Sequence, residues 1–105
     1  MDNYKITVTP DALGMLNQYL SYILFVLRNE QAYEEVKKDY FETLDNLSNI
    51  AGSIAEPKEE KLLERGLKRI HFLRHRYIML YKVDGDEAIV VYIFHETEDY
   101  LNKIL

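Results

Sequence analysis

The sequence predicts an α+β fold, with an N-terminal strand, an antiparallel helix hairpin, a three-stranded antiparallel meander and a short C-terminal helix (β-α-α-β-β-β-α). In the first half, apolar residues recur at three- and four-residue spacing, the period of helices that bury one face. In the second half, short apolar runs of strand length flank Asp84-Gly85, a dipeptide typical of hairpin turns. We expect one domain over residues 1–105.

The first strand and the helix hairpin follow from local pattern. Residues 4–8 alternate apolar and polar side chains, which predicts a half-buried strand. Thr9 is suited to cap the next helix and Pro10 to occupy its first position. A break at Arg28-Asn29 separates two helical stripes, the second of which ends near Gly52. The first stripe contains Leu13, Leu16, Leu20, Ile23, Leu24 and Leu27, and the second contains Tyr33, Val36, Tyr40, Leu44 and Leu47.

The second half reads as a linker, three strands and a final helix. Residues 52–66 contain glycine, proline and mixed charges, so we expect a linker with at most one helical turn. Strands are predicted around residues 70–73, over 77–83 and over 88–94, the last being apolar on both faces and therefore central in the sheet. Residues 96–105 begin with acidic side chains, which favour a helix N-terminus.

Composition excludes several classes of protein. The chain has no cysteine, which excludes disulfides, thiolate-bound zinc and cysteine nucleophiles. Its start lacks the pattern of a secretion signal, and its longest apolar run, residues 23–27, is far too short to span a bilayer. We therefore expect a cytoplasmic protein without membrane association. No metal-ligand spacing or glycine-rich phosphate loop occurs, so no metal and no cofactor are predicted.

Positive charge is concentrated in residues 58–82, called here the basic segment. The whole chain has a net charge of −5, yet this segment has eight basic and three acidic residues. Such segregation predicts a surface for an anionic partner. The alternative is a solvated loop and strand edge whose lysines discourage edge pairing. The basic residues are Lys58, Lys61, Arg65, Lys68, Arg69, Arg74, Arg76 and Lys82.

The order and spacing of three stretches resemble the RelE/ParE superfamily of bacterial toxins. They are residues 4–12, residues 77–86, and the ending formed by residues 93–95, Asp99-Tyr100 and Ile104-Leu105. The resemblance covers nearly the whole chain. It implies a toxin of a type II toxin–antitoxin (plasmid stabilisation) module, neutralised by a small cognate antitoxin. Assembly of toxin and antitoxin into a higher-order complex is also left open.

The resemblance leaves three activities open. RelE-like members are endoribonucleases that cut mRNA on the ribosome, ParE-like members inhibit DNA gyrase and are not enzymes, and a third class would bind antitoxin without being toxic. Ile78 stands where RelE-like chains typically have arginine, and Glu96, Glu98 and Asp99 replace their terminal basic cluster. Carboxylates there would repel an RNA phosphate, so the sequence is more similar to ParE-like members, while the choice between the activities stays open.

Seven residues are candidates for contact with a target or a phosphate. RNA cleavage would need a base, an acid and cations, whereas protein binding would need only accessible charge; no catalytic residue is assigned. The strongest candidates are the three residues of the basic turn, Arg74-His75-Arg76, which can grip phosphate or carboxylate. A solvated polar face and, for His95, a structural hydrogen bond are the alternatives. The candidates are Arg69, His71, Arg74, His75, Arg76, His95 and Tyr100.

We expect the antitoxin to bind in a groove of the fold. A disordered or helical segment of the antitoxin would lie in an apolar groove between the helix pair and the sheet. Its acidic groups would lie near the basic segment.

Overall fold

The computed structural model describes residues 3–104, which form a four-stranded sheet and a helix hairpin. The strands are β1 (Lys5–Val8), β2 (Lys68–His71), β3 (Tyr77–Asp84) and β4 (Glu87–His95), in the spatial order β1-β4-β3-β2. The helices are α1 (Pro10–Ser21), α2 (Glu30–Ile50) and the short α3 (Glu60–Glu64). The α+β prediction is confirmed. Within residues 3–104, no helix is long and apolar enough to cross a membrane.

The predicted helix starts are confirmed by their capping geometry. The Thr9 Oγ accepts a hydrogen bond from the Ala12 N–H at 3.2 Å, and proline occupies the first turn of α1. Asn29 caps α2 in the same way, accepting from the Ala32 N–H at 3.0 Å. Between the helices Arg28 has a positive φ of 54°, a backbone region that few residues other than glycine adopt. This residue makes the sharp reversal of the hairpin.

The buried stripe of α1 differs from the predicted one at both ends. Leu16, Leu20 and Ile23 are buried as predicted, but Leu13 and Leu27 are exposed. Beyond Ser21 the chain continues as a π-helical turn over Tyr22–Val26. A π turn contains more residues than an α turn, so it rotates the last part of the stripe away from the core.

The sheet combines the predicted meander with a parallel pairing that no local signal indicated. β2, β3 and β4 pair antiparallel in sequence order, and Gly85 lies in the predicted tight turn with a φ of 61°. β1 pairs in parallel with the first half of β4, so β4 is central as predicted. The predicted C-terminal helix is only a 3₁₀ turn over Tyr100–Asn102. Leu105 lies outside the described residues.

Apolar side chains pack on both faces of the sheet. The helix hairpin covers one face, where Leu16, Leu47 and Met79 belong to the larger core. This core fills the space between the helix pair and the sheet, where a groove was expected. On the opposite face, α3 and the C-terminal segment cover Ile78 and Leu80. β3 is therefore buried from both sides at successive residues.

A buried carboxylate joins α2 to the connection between β2 and β3. Asp39 is 1% exposed, and its Oδ1 accepts from the Leu73 N–H at 3.1 Å. Its Oδ2 accepts from the N–H groups of Arg74 at 3.0 Å and His75 at 2.8 Å, and lies 2.7 Å from the His75 Nδ1. Asp39 therefore fixes the backbone of the basic turn as well as its histidine ring.

These hydrogen bonds decide the charge state of Asp39. Burial, the largest single influence, favours the neutral acid. The hydrogen bonds from the His75 ring and from the Arg74 and His75 N–H groups oppose it, and together they hold the pKa of Asp39 below its usual value. The folded protein thus keeps a charged carboxylate in its interior.

Replacing Asp39 with asparagine is expected to destabilise the fold strongly. An amide nitrogen at either position would face N–H donors, leaving buried groups without partners, so Asp39→Asn should lower the free energy of unfolding by about 3 kcal/mol. Urea unfolding followed by circular dichroism measures this. The control is Glu42→Gln, which removes a half-exposed carboxylate beside the same turn and should cost less than about 1 kcal/mol. Equal losses in the two variants would contradict the special role of Asp39.

The contribution of Asp39 should depend on pH. The pKa of Asp39 is lower in the folded state than in the unfolded state, where it is about 4. The stabilisation by Asp39 is therefore fully present above the unfolded-state pKa and is lost as pH falls from there through the folded-state pKa. The difference in unfolding free energy between the natural chain and Asp39→Asn should be constant from neutral pH to about 5 and narrow below about 4. A difference that stays unchanged in acid would show that the carboxylate charge is irrelevant.

Candidate functional site

The sheet face opposite the helix hairpin holds two of the candidate residues on β2. Arg69 pairs in register with Leu80, and His71 with Ile78, and both partner side chains belong to the smaller core on that face. Arg69 and His71 therefore share one face of the sheet, as their alternation predicts. The two side chains are nevertheless bound by different partners.

Arg69 is held between a carboxylate and a phenol. One of its terminal nitrogens donates to Glu59 Oε2 at 2.8 Å and to the Tyr100 hydroxyl at 2.7 Å. The hydrogen bond from Arg69 lowers the pKa of Glu59 below its usual value. The Tyr100 ring stacks on Phe94 at 5.6 Å between ring centroids. The structure thus joins two candidates, and Glu59 neutralises one of them.

Glu96 binds two further candidates near the end of β4. Its Oε1 accepts from the Arg76 Nε at 2.7 Å, and its Oε2 lies 3.5 Å from the His71 Nδ1. The hydrogen bond from Arg76 is the main cause that lowers the pKa of Glu96. The carboxylate that we expected to repel an RNA phosphate is therefore the internal partner of the basic residues nearby.

The basic turn has two exposed arginines around one immobilised histidine. Arg74 forms an ion pair with Glu42 of α2, and its side chain is 62% exposed. The Arg76 side chain is 68% exposed. His75 lies between them and is mostly covered because its ring is bound to Asp39. The two guanidinium groups are thus the most exposed side chains of the basic turn.

His95 has a structural environment at the end of β4. Its Nδ1 lies 2.7 Å from the Thr97 Oγ, and its ring meets the edge of Tyr77 at 5.0 Å between centroids. The backbone N–H of His95 donates to Glu98 at 3.0 Å and to the Tyr19 hydroxyl at 3.2 Å. Burial and the neighbouring Glu98 raise the pKa of Tyr19. His95 is the cross-strand partner of Tyr77, which follows the basic turn, so the structure places it beside Arg76, with its Nδ1 bound to Thr97.

A cleft outside this group of residues has a mixed lining. It measures about 410 Å³ and lies where the start of α1 meets β3 and β4. Leu67, Val91 and Tyr92 form its less polar part, and two basic side chains, Arg65 and Lys82, and one acidic side chain, Asp11, also line it. Lys82 belongs to the basic segment but lies beyond the end of the β2 pairing. Among the described residues, no group of three histidine or acidic side chains could hold a metal ion.

The residues that sequence reasoning missed are mainly carboxylates. Asp39, Glu42, Glu59 and Glu96 each bind a candidate side chain. One signal was available for Asp39, since it lies between Val36 and Thr43 on the buried side of α2. A charged residue in a buried stripe requires a partner. The chemistry that results at these candidates is a set of compensated ion pairs.

Comparisons with known proteins agree with this fold. The family profile described as "ParE toxin of type II toxin-antitoxin system, parDE" matches residues 6–100. A solved structure titled "Chromosomal ParDE TA system from P. aeruginosa" is similar with a TM-score of 0.72 and 18% identity, covering 88% of this chain and 95% of that one. No curated protein sequence gives a significant match. Because the family profile spans nearly the whole sequence, this chain belongs to the ParE toxin family of type II toxin–antitoxin systems.

Proposed function

We propose that this chain inhibits bacterial growth by binding DNA gyrase, and that a small antitoxin neutralises it. The observation that supports a protein target over RNA is the pairing of the candidate cations. Arg69, His71, Arg74, His75 and Arg76 each contact a carboxylate of the chain itself. RNA binding gains most of its affinity from many cations that neutralise phosphates together, whereas a protein interface can use the two exposed guanidinium groups of Arg74 and Arg76 alone.

The exposed pairs of the basic turn suit exchange with a protein partner. Ion pairs between exposed side chains contribute only about 0 to 1 kcal/mol, so Arg74 and Arg76 can leave Glu42 and Glu96 at little cost. A carboxylate in a desolvated interface would bind the same guanidinium groups more strongly. The backbone beneath them remains fixed by Asp39. We therefore assign target contact to Arg74 and Arg76, and we assign His75 to positioning them.

We propose that the antitoxin binds in the cleft between the start of α1 and β4. The space between the helix pair and the sheet is filled by the larger core, so it cannot accept a segment without unpacking. The cleft offers Leu67 and Val91 beside Lys82 and Arg65. An extended or helical segment that combines apolar and acidic side chains matches this lining.

Expression of the chain in a bacterium should trap gyrase on broken DNA while translation continues. Arg74→Ala/Arg76→Ala should relieve growth inhibition at equal protein level, because the target loses two charge-assisted contacts. The readouts are growth, gyrase-linked DNA breaks and incorporation of labelled amino acids. The matched control is Lys58→Ala/Lys61→Ala, which removes two cations of the basic segment from outside the turn.

Each other outcome of that experiment opposes a part of the proposal. Rapid translation arrest with mRNA cuts at codon positions would favour a ribosome-dependent endoribonuclease. No growth defect would favour an antitoxin-binding protein without toxicity. Full toxicity of a folded Arg74→Ala/Arg76→Ala variant would exclude the basic turn as the contact.

Reversing one charge at the cleft should separate neutralisation from toxicity. Lys82→Glu should leave growth inhibition intact but weaken rescue by the cognate antitoxin at least tenfold, because acidic antitoxin side chains would meet a like charge. Titrated co-expression and measurement of binding by the purified proteins test this. Lys37→Glu on α2 is the control, since it reverses a charge that lines neither the cleft nor the two surface pockets formed with Arg74. Unchanged rescue in Lys82→Glu would move the antitoxin site elsewhere.

A further inference from the structure

One face of the first helix is exposed and lacks charge. From Ala12 to Leu27 the chain has 16 consecutive uncharged residues, although 30% of all residues are charged. Burial explains only one side of this stretch, where Ala12, Leu16, Leu20 and Ile23 enter the core. The other side, called here the uncharged face, contains Gly14, Gln18, Ser21, Tyr22, Phe25 and Val26, and all six are exposed.

The uncharged face ends in a cluster of exposed apolar side chains. Phe25 is 70% exposed and Val26 is 63% exposed, and Tyr22 lies beside them. They belong to the π-helical turn, a rare conformation that is frequently found at functional sites. Exposed apolar patches indicate interaction surfaces, and the centres of interfaces are depleted of charge. The face therefore has the properties of an interface whose partner is absent.

The charges that bound this face indicate the partner. Asp11 precedes the uncharged stretch and Arg28 follows it, and both are exposed. A second copy in parallel orientation would place like charges together, whereas an antiparallel copy would place Asp11 of each chain beside Arg28 of the other. The face is thus complementary to itself under a two-fold axis, as an isologous interface requires.

The same antiparallel register matches the shapes of the side chains. When Asp11 faces Arg28, Gly14 faces Phe25 and Gln18 faces Ser21. A side chain added at Gly14 would meet nothing within 4 Å, so the packing of this chain gives no reason for a glycine in the middle of a helix, where it costs stability. The ring of Phe25 from the second copy would fill that space. At the axis, Gln18 and Ser21 can exchange hydrogen bonds.

We propose that the protein forms a symmetric dimer through antiparallel packing of the uncharged faces of two copies. The face is about 25 Å long and about 10 Å wide, which is smaller than the roughly 800 Å² per partner of a standard stable interface. The dimer is therefore weak and reversible. This inference goes beyond the proposed function, since it requires neither gyrase nor an antitoxin.

Charge reversal followed by rescue tests the dimer. Sedimentation velocity of the purified chain from micromolar to millimolar concentration should show a monomer–dimer equilibrium. Asp11→Arg and Arg28→Asp should each weaken it at least tenfold, because like charges then meet at both ends. The double variant Asp11→Arg/Arg28→Asp should restore the dimer. Aspartate tolerates the positive φ at position 28, so this variant should fold.

Two further variants test whether the dimer forms through the uncharged face. Gly14→Leu fills the space that Phe25 of the second copy needs, so it should weaken the dimer at least tenfold while circular dichroism shows an intact fold. Glu64→Arg, on exposed α3, is the control for charge reversal and should leave the dimer unchanged. A monomer at every concentration would overturn the proposal, as would a dimer insensitive to Gly14→Leu and both charge reversals. A face covered only after antitoxin is added would also overturn it.

Discussion

The Asp39 carboxylate is the interaction on which the arrangement of the site depends. It lies inside α2, is almost fully buried, and accepts hydrogen bonds from three successive N–H groups that lead into β3. Without those acceptors, the three N–H groups would lose their partners within the protein. The helix hairpin and the meander are therefore joined by a polar contact as well as by the apolar core. This contact also determines which side chains of the basic turn can move.

Asp39 is one of several carboxylates that bind the side chains of the basic segment. A basic segment in an acidic chain suggests free cations, but here carboxylates from α2, from the approach to α3 and from the end of β4 bind those cations. The pairs differ in burial, and this difference gives them different roles. His75 is held firmly, whereas Arg74 and Arg76 are exposed and can exchange partners. The fold thus presents two movable guanidinium groups on a rigid backbone, an arrangement better suited to protein recognition than to phosphate chemistry.

Local patterns predicted most of the fold, and long-range contacts account for what they missed. Thr9, Asn29 and Asp84-Gly85 encode helix starts and a turn over a few residues, so their positions were predictable. The parallel pairing of β1 with β4 joins residues more than 80 positions apart, and nothing in either strand specifies that partner. The π turn displaced Leu27 because periodicity assumes a constant number of residues per turn. The site was least predictable, since Glu42 and Glu59 are recognisable as partners only after folding brings them to arginines.

The basic turn lies before β3 and the cleft residue Lys82 lies near the other end of this strand. Their separation bears on how an antitoxin would neutralise the toxin. Arg76 precedes this strand and Lys82 lies six residues further on, a separation of roughly 20 Å in an extended strand. An antitoxin segment anchored at Lys82 would therefore need only about six extended residues to reach the basic turn. Its carboxylates could then replace Glu42 or Glu96 as partners of the two arginines, because those pairs are exposed and weak. Neutralisation would follow from direct competition for the guanidinium groups, with no change of conformation at Asp39.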